Sequence, residues 1–178
     1  RPGTGSFVLY KGEARDKKTH PSIVSTVRTI WWIFLLYSII GIVSLIIIGS
    51  FSSNGMDVWE SINHGMTGLA TGGFSVTSDS ITSFGVISQL AIIVLMVLGA
   101  IAFTAHYNLL KGRIKRFLSD AQFKAMVALI ILGVFALTVM NIGVYEYNWL
   151  ASLKFSGFQF ISAISCTGFA SADISTWR

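Results

Sequence analysis

From Thr29 to Met56 the chain carries no Asp, Glu, Lys or Arg, and the same is true from Ser80 to Leu110 and from Ala125 to Tyr145. Hydrocarbon offers the backbone no water, so an uncharged stretch of this length crosses a bilayer as a helix, which takes about 20 apolar residues. Composition agrees with that reading. Hydrophobic residues make up 53% of the chain and charged residues 12%, where a soluble domain carries about 25%. The pattern predicts an all-α membrane protein with helices over 28–50, 84–110 and 122–145. Trp31, Trp32 and Tyr37 suit an interfacial belt around the start of the first.

Charge orients these spans. Eleven of the 13 Lys and Arg residues fall in two places. Arg1, Lys11, Arg15, Lys17, Lys18 and Arg28 precede the first helix, and Lys111, Arg113, Lys115, Arg116 and Lys124 join the second to the third. Basic loops stay on the cytoplasmic side. The expected topology is therefore multi-pass in the plasma (inner) membrane, with segment 1–27 and loop 111–124 cytoplasmic. Asp57, Glu60, Asp79, Glu146 and Asp173 belong to the opposite, outer segments. Basicity beside a bilayer accounts for the net charge of +5, and nucleic acid is excluded as a partner on that ground.

Between the spans lie two short helix-compatible segments, 57–69 and 148–164. The first reaches only about 20 Å at 1.5 Å per residue, too short to cross. Its Ser61, Asn63, His64 and Thr67 would be costly against lipid. A short helix buried among other helices resolves both difficulties. The second repeats the design, with Ser156 and Ser162 matching Ser61 and Thr67 at a constant offset of 95 residues.

Each short segment runs into a glycine loop, 70–75 (Ala-Thr-Gly-Gly-Phe-Ser) and 165–170 (Ser-Cys-Thr-Gly-Phe-Ala). Gly73 and Phe74 match Gly168 and Phe169 at the same offset. Non-helical backbone at membrane depth survives only inside protein or against water. Glycine permits dihedrals that let carbonyls point together. The C-terminal end of each short helix adds partial negative charge, and acids at the mouth concentrate cations. All three effects favour a dehydrated cation over an anion.

Other residues read more plainly. Phe74 and Phe169 are expected to pack behind the loops. Cys166 is expected to be a small buried residue, and as the only cysteine it forms no internal disulfide. His64 reads as a hydrogen-bonded packing residue, since no Cys or Asp stands near it at ligand spacing. His106 lies near the cytoplasmic face, where a solvated or interfacial role is expected. Gly99 suggests close helix packing. The spans hold no acid and no histidine cluster, so no enzyme activity is expected.

The order helix, short helix, glycine loop, helix resembles the pore unit of potassium channels. Three stretches narrow the resemblance to the Trk/Ktr/HKT family of potassium and sodium transport proteins. These are ATGGFS at Ala70–Ser75 with Asp79 behind it, GAIAFTAHYNLLKGRIKRFLSD at Gly99–Asp120, and SCTGFASADISTW at Ser165–Trp177. The resemblance implies four pore units in one full-length chain, each with one key glycine in its selectivity filter. Residues 28–118 would be one complete unit: outer helix 28–50, pore helix 57–69, filter 70–75 and inner helix 84–110. Residues 119–178 would be a second unit lacking its inner helix: outer helix 122–145, pore helix 148–164 and filter 165–170. Arg1 is not an initiator, and the chain is expected to be an internal fragment of the Trk-type membrane subunit.

By the same resemblance Thr71, Gly72, Gly73 and Phe74 form one filter, and Cys166, Thr167, Gly168 and Phe169 the other. Potassium would be held by the backbone carbonyls of Thr71, Gly72, Gly73, Cys166, Thr167 and Gly168. Ser75, Asp79, Ala170 and Asp173 would line the outer mouth. Cys166 departs from the Thr that the family usually has there. No cofactor is implied; potassium is the permeant ion. The implied partners are the remaining pore units of the full-length chain, a second copy in a homodimer, a cytosolic nucleotide-binding regulatory ring and the lipid bilayer. Two alternatives stand beside this reading. One is a secondary transporter with broken helices and a midplane substrate site. The other is a sodium-permeable member of the same family.

Overall fold

The computed structural model describes residues 23–146 and 148–177. Most of the expected cytoplasmic segment 1–27, with Arg1, Lys11, Arg15, Lys17 and Lys18, lies outside the described residues. Among the described residues every regular element is helical. They divide into two compact units, one within Arg1–Tyr37 and Ile101–Lys124, the other within Ser38–Ala100 and Ala125–Arg178.

Helix α1 spans Ile23–Phe51. It begins ahead of the sequence-based start at 28, because nothing from Ile23 to Arg28 breaks a helix. Three of its hydroxyls bond their own helix: Thr29 Oγ1 donates to the Ser25 carbonyl at 2.9 Å, Ser44 Oγ to that of Ile40 at 2.7 Å and Ser50 Oγ to that of Ile46 at 2.9 Å. Helix α6, Ala121–Asn141, is likewise long and apolar enough to cross a membrane. Its C-terminal Asn141 is buried, and Nδ2 bonds Ser156 Oγ at 3.3 Å. The chain turns there, short of the expected end at 145.

The third uncharged stretch is not one straight helix. Helix α3 covers Val86–Ala100 and helix α4 covers Phe103–Leu110. Together they pass as a third span only as a bent pair. Ala102 between them is extended, with φ −58 and ψ 129. The cause is tertiary: a Cβ on Gly99 would collide with the Leu69 carbonyl, so the end of α3 is pressed against backbone just where glycine already weakens a helix.

In the first unit, α4 is followed by the short helix α5, Ile114–Leu118. His106 is fully buried. Its ring lies 5.1 Å from Tyr37, 5.8 Å from Phe103 and 6.0 Å from Phe117. The expectation of a solvated or interfacial His106 is thus corrected. Aromatic residues from α1, α4 and α5 enclose it.

In the second unit, helix α2, Val58–Leu69, is fixed at its start by a capping box. Asp57 accepts from the Glu60 amide at 2.7 Å, and Glu60 accepts from the Asp57 amide at 2.8 Å. At 12 residues α2 is too short to cross. Helix α7, Trp149–Ile164, starts at Asn148, whose Oδ1 accepts from the amides of Leu150 and Ala151 at 3.1 Å. Small residues let these helices approach: a Cβ on Gly65 would lie 2.8 Å from Ile42 Cγ1 of α1. The core joins Leu45, Met56, Ile81, Phe84, Ile92, Leu95, Met96, Phe158 and Phe169. Gln89 of α3 ties this core to the preceding turn, donating to the carbonyls of Ile81 at 3.2 Å and Phe84 at 3.0 Å.

Candidate functional site

The two glycine loops leave their helices by the same path, bond for bond. After α2, the amides of Ala70, Thr71 and Gly72 donate to the carbonyls of Met66, Gly68 and Thr67 at 2.9, 3.3 and 2.8 Å. After α7, Ser165, Cys166 and Thr167 donate to Ile161, Ala163 and Ser162 at 3.0 Å each. Thr71 and Gly73 have φ of 52 and 65; Cys166 and Gly168, at the same offset, have 58 and 89. Left-handed backbone is strained for Thr and Cys, costing roughly 1–2 kcal/mol each. Both loops meet that cost at the same position.

A hydroxyl from each helix then fixes its loop. Thr67 Oγ1 shares its one proton between the Asn63 carbonyl of its own helix at 2.8 Å and the Phe74 carbonyl at 3.0 Å, and Ser162 Oγ donates to the Phe169 carbonyl at 2.7 Å. Those two carbonyls are thereby engaged with their own helices. Ser165 Oγ and Thr167 Oγ1 lie 2.8 Å apart in the second loop.

The loops also meet each other. A Cβ on Gly73 would collide with the carbonyl oxygen of Thr167. Only a residue with no side chain admits that oxygen, and only one that tolerates positive φ can stand there. Beyond the glycines, Ala170 N donates to Ser80 Oγ at 3.0 Å, and Ile81 N donates to the Ala170 carbonyl at 3.0 Å. Behind the first loop, His64 is fully buried. Its Nδ1 lies 2.8 Å from the Glu60 carbonyl and its Nε2 2.8 Å from Ser75 Oγ. The His64 ring stands 5.7 Å from that of Phe169.

Thr71, Gly72, Gly73, Cys166, Thr167 and Gly168 therefore fall in one locality of the second unit. Two expectations need correction. Cys166 is exposed, because residues in 165–169 alternate inward and outward and 166 faces out. Phe169 packs behind its loop, but Phe74 is 76% exposed, since nothing among the described residues covers it. Asp79 and Asp173 are both exposed. Hydrogen bonds from the Ser175 side chain and amide hold the Asp173 carboxyl below the usual carboxylate range, so it is ionised at neutral pH. Among the described residues no group of three or more His, Cys, Asp or Glu could hold a metal ion. The oxygens available at the loops belong to the main chain and to hydroxyls.

Sequence reasoning missed Ser80, which joins the loops although it is not a glycine and has φ 59. Nothing in its neighbours' identities marks it.

An all-helical membrane chain with paired glycine loops is the setting for the comparisons with known proteins. Residues 1–178 match a family model described as a cation transport protein. That family is TrkH, and the chain belongs to it. An uncharacterized cation transporter of Methanocaldococcus jannaschii is 30% identical over 174 residues, covering 98% of this chain and 33% of that protein. The Trk system potassium uptake protein TrkH of Escherichia coli K12 is 28% identical over 186 residues, covering 98% of this chain and 36% of the relative. The crystal structure of the potassium transporter TrkH from Vibrio parahaemolyticus shares the fold with a TM-score of 0.81 at 22% identity, over 96% of this chain and 36% of that one. The chain thus spans about a third of the length of the curated relatives it matches.

Proposed function

We propose that this chain contributes to the pore domain of a potassium uptake protein. Monovalent cations would pass down their electrochemical gradient along main-chain oxygens of the two glycine loops. The observation that carries this reading is the contact of Gly73 with the Thr167 carbonyl, between loops whose backbones match residue for residue. Carbonyls of Thr71, Gly72, Gly73, Cys166, Thr167 and Gly168 replace hydration water. The carbonyls of Phe74 and Phe169 anchor the loops to Thr67 and Ser162 instead. Helices α2 and α7 act as pore helices whose C-terminal ends each present about half a negative charge. No covalent chemistry is involved.

On this reading residues 28–118 and 119–178 are two pore units, and the remaining units of the full-length chain complete the ring. The glycine loops face outward, and loop 111–124 faces the cytoplasm. A homodimer and a cytosolic nucleotide-binding regulatory ring are the further partners, the latter contacting the basic turn Lys111–Lys124. Potassium is taken as the ion because the relatives at 28–30% identity include potassium uptake proteins. Loops of like path lying side by side support parallel repeats over the inverted ones of a broken-helix transporter.

The test is rubidium uptake by the full-length protein carrying Gly73→Asp or Gly168→Val. Uptake is expected to vanish while the protein still accumulates in the membrane. Undiminished uptake removes the filter assignment.

A further inference from the structure

The polar chain behind the first loop ends at the second. The Glu60 carbonyl can only accept, so His64 Nδ1 carries the ring proton across their 2.8 Å contact. In the neutral ring Nε2 then accepts from the Ser75 hydroxyl at 2.8 Å. Ser75 Oγ in turn accepts from the Thr77 amide at 3.1 Å, and Thr77 Oγ1 donates to the Ser80 carbonyl at 2.6 Å. Ser80, held at φ 59, receives the Ala170 amide on its Oγ at 3.0 Å. A second route is apolar: the His64 ring packs edge-on against Phe84 at 5.4 Å and lies tilted against Phe169 at 5.7 Å. His64 thus touches the segment after Gly73 through hydrogen bonds and the residue after Gly168 through its ring.

We infer that His64 is a positioning residue that sets the spacing of the two glycine loops and thereby the preference among monovalent cations. The inference rests on the pore reading above. An oxygen cage ranks cations by its spacing and stiffness, and both routes from His64 bear on those quantities. The loops cannot separate at Gly73 and Thr167 without disturbing Ser75, Ser80 or Phe169. Both ring nitrogens are engaged within the protein, by the Glu60 carbonyl and the Ser75 hydroxyl, so removal of the side chain alters the ranking of ions more than the existence of a path.

The experiment compares rubidium and sodium uptake by the full-length protein, unaltered and as His64→Leu, His64→Gln and Ser75→Ala, with membrane abundance measured alongside. His64→Leu and Ser75→Ala each break the bond between positions 64 and 75. Both are expected to move the rubidium-to-sodium ratio about tenfold toward sodium, the scale of one lost hydrogen bond. His64→Gln keeps an acceptor for Ser75 and is expected to stay within about twofold of the unaltered protein. An unmoved ratio in His64→Leu and Ser75→Ala, equal loss of both ions, or a His64→Gln shift as large as that of His64→Leu overturns the inference. Should His64→Leu fail to accumulate, Ser75→Ala decides by the same criterion. An unaltered protein that moves no rubidium sinks the pore reading itself, whereas normal rubidium uptake with unmoved ratios sinks only the role given to His64.

Discussion

The loops at 70–75 and 165–170 have nearly the same backbone and opposite surroundings. Gly73 is closed off by the Thr167 carbonyl, while a Cβ on Gly168 would meet nothing within 4 Å. Phe169 is 1% exposed, packed on His64 and Gly68 of α2, while its counterpart Phe74 is 76% exposed. Among the described residues each loop is thus covered at a different place, the first at its glycine and the second at its phenylalanine. Head-to-tail contact of this kind generates a ring when its rotation closes. On the pore reading proposed above, the contact at Gly73 would be one junction of such a ring, and the open faces of Gly168 and Phe74 would receive further units.

The comparison breaks most readily at the glycines. Alanine at 73 meets both the positive φ and the Thr167 carbonyl, so rubidium uptake by the full-length protein is expected to fall about a hundredfold. Alanine at 168 meets only the positive φ here. If a further loop fills the open side in the full-length protein, its loss matches that at 73. A loss of only about fivefold, the effect of roughly 1 kcal/mol of backbone strain, would leave the junction at 168 without a neighbour. The phenylalanines give a smaller effect. Phe169→Ala empties a core position and is expected to cost about 3 kcal/mol, read as a lowered melting temperature in detergent. Phe74→Ala should cost nearly as much in the full-length protein, and a melting temperature unchanged there would mean that Phe74 stays uncovered. The smallest effect lies at the mouth. Asp79→Asn combined with Asp173→Asn should weaken uptake about twofold at low ionic strength and hardly at all near 1 M salt, where screening reaches about 3 Å. An equal effect at every salt concentration points to structure instead of steering.

What was legible in the sequence is what local chemistry determines. The uncharged stretches announced membrane helices. The short segments 57–69 and 148–164 were legible from their length and their polar residues, and the caps at Asp57, Glu60 and Asn148 place their starts in the structure at the same positions. The constant offset between Gly73 and Gly168 marked the two loops as alike, and their backbones follow the same path. What escaped was set by contacts distant in the chain. No polar or proline residue marks the break at Ile101–Ala102; it follows from the Leu69 carbonyl lying against Gly99. The burial of His106 depends on Tyr37, 69 residues earlier. Cysteine usually turns inward, but the alternation of the second loop sends 166 outward. Phe74 and Phe169 are the same residue at equivalent positions, so no reading of type could separate them.

The hydrogen bonds joining Ser80 and Ile81 to Ala170 bear on which edits the chain tolerates. Ala170 donates from its amide to Ser80 Oγ and accepts from the Ile81 amide, each at 3.0 Å. Most side chains between Gly73 and Ser80 can change without touching either bond. An insertion between Gly73 and Ile81, or between Gly168 and Ala170, would shift the register on which both bonds depend. Spacing is thus held more tightly than identity.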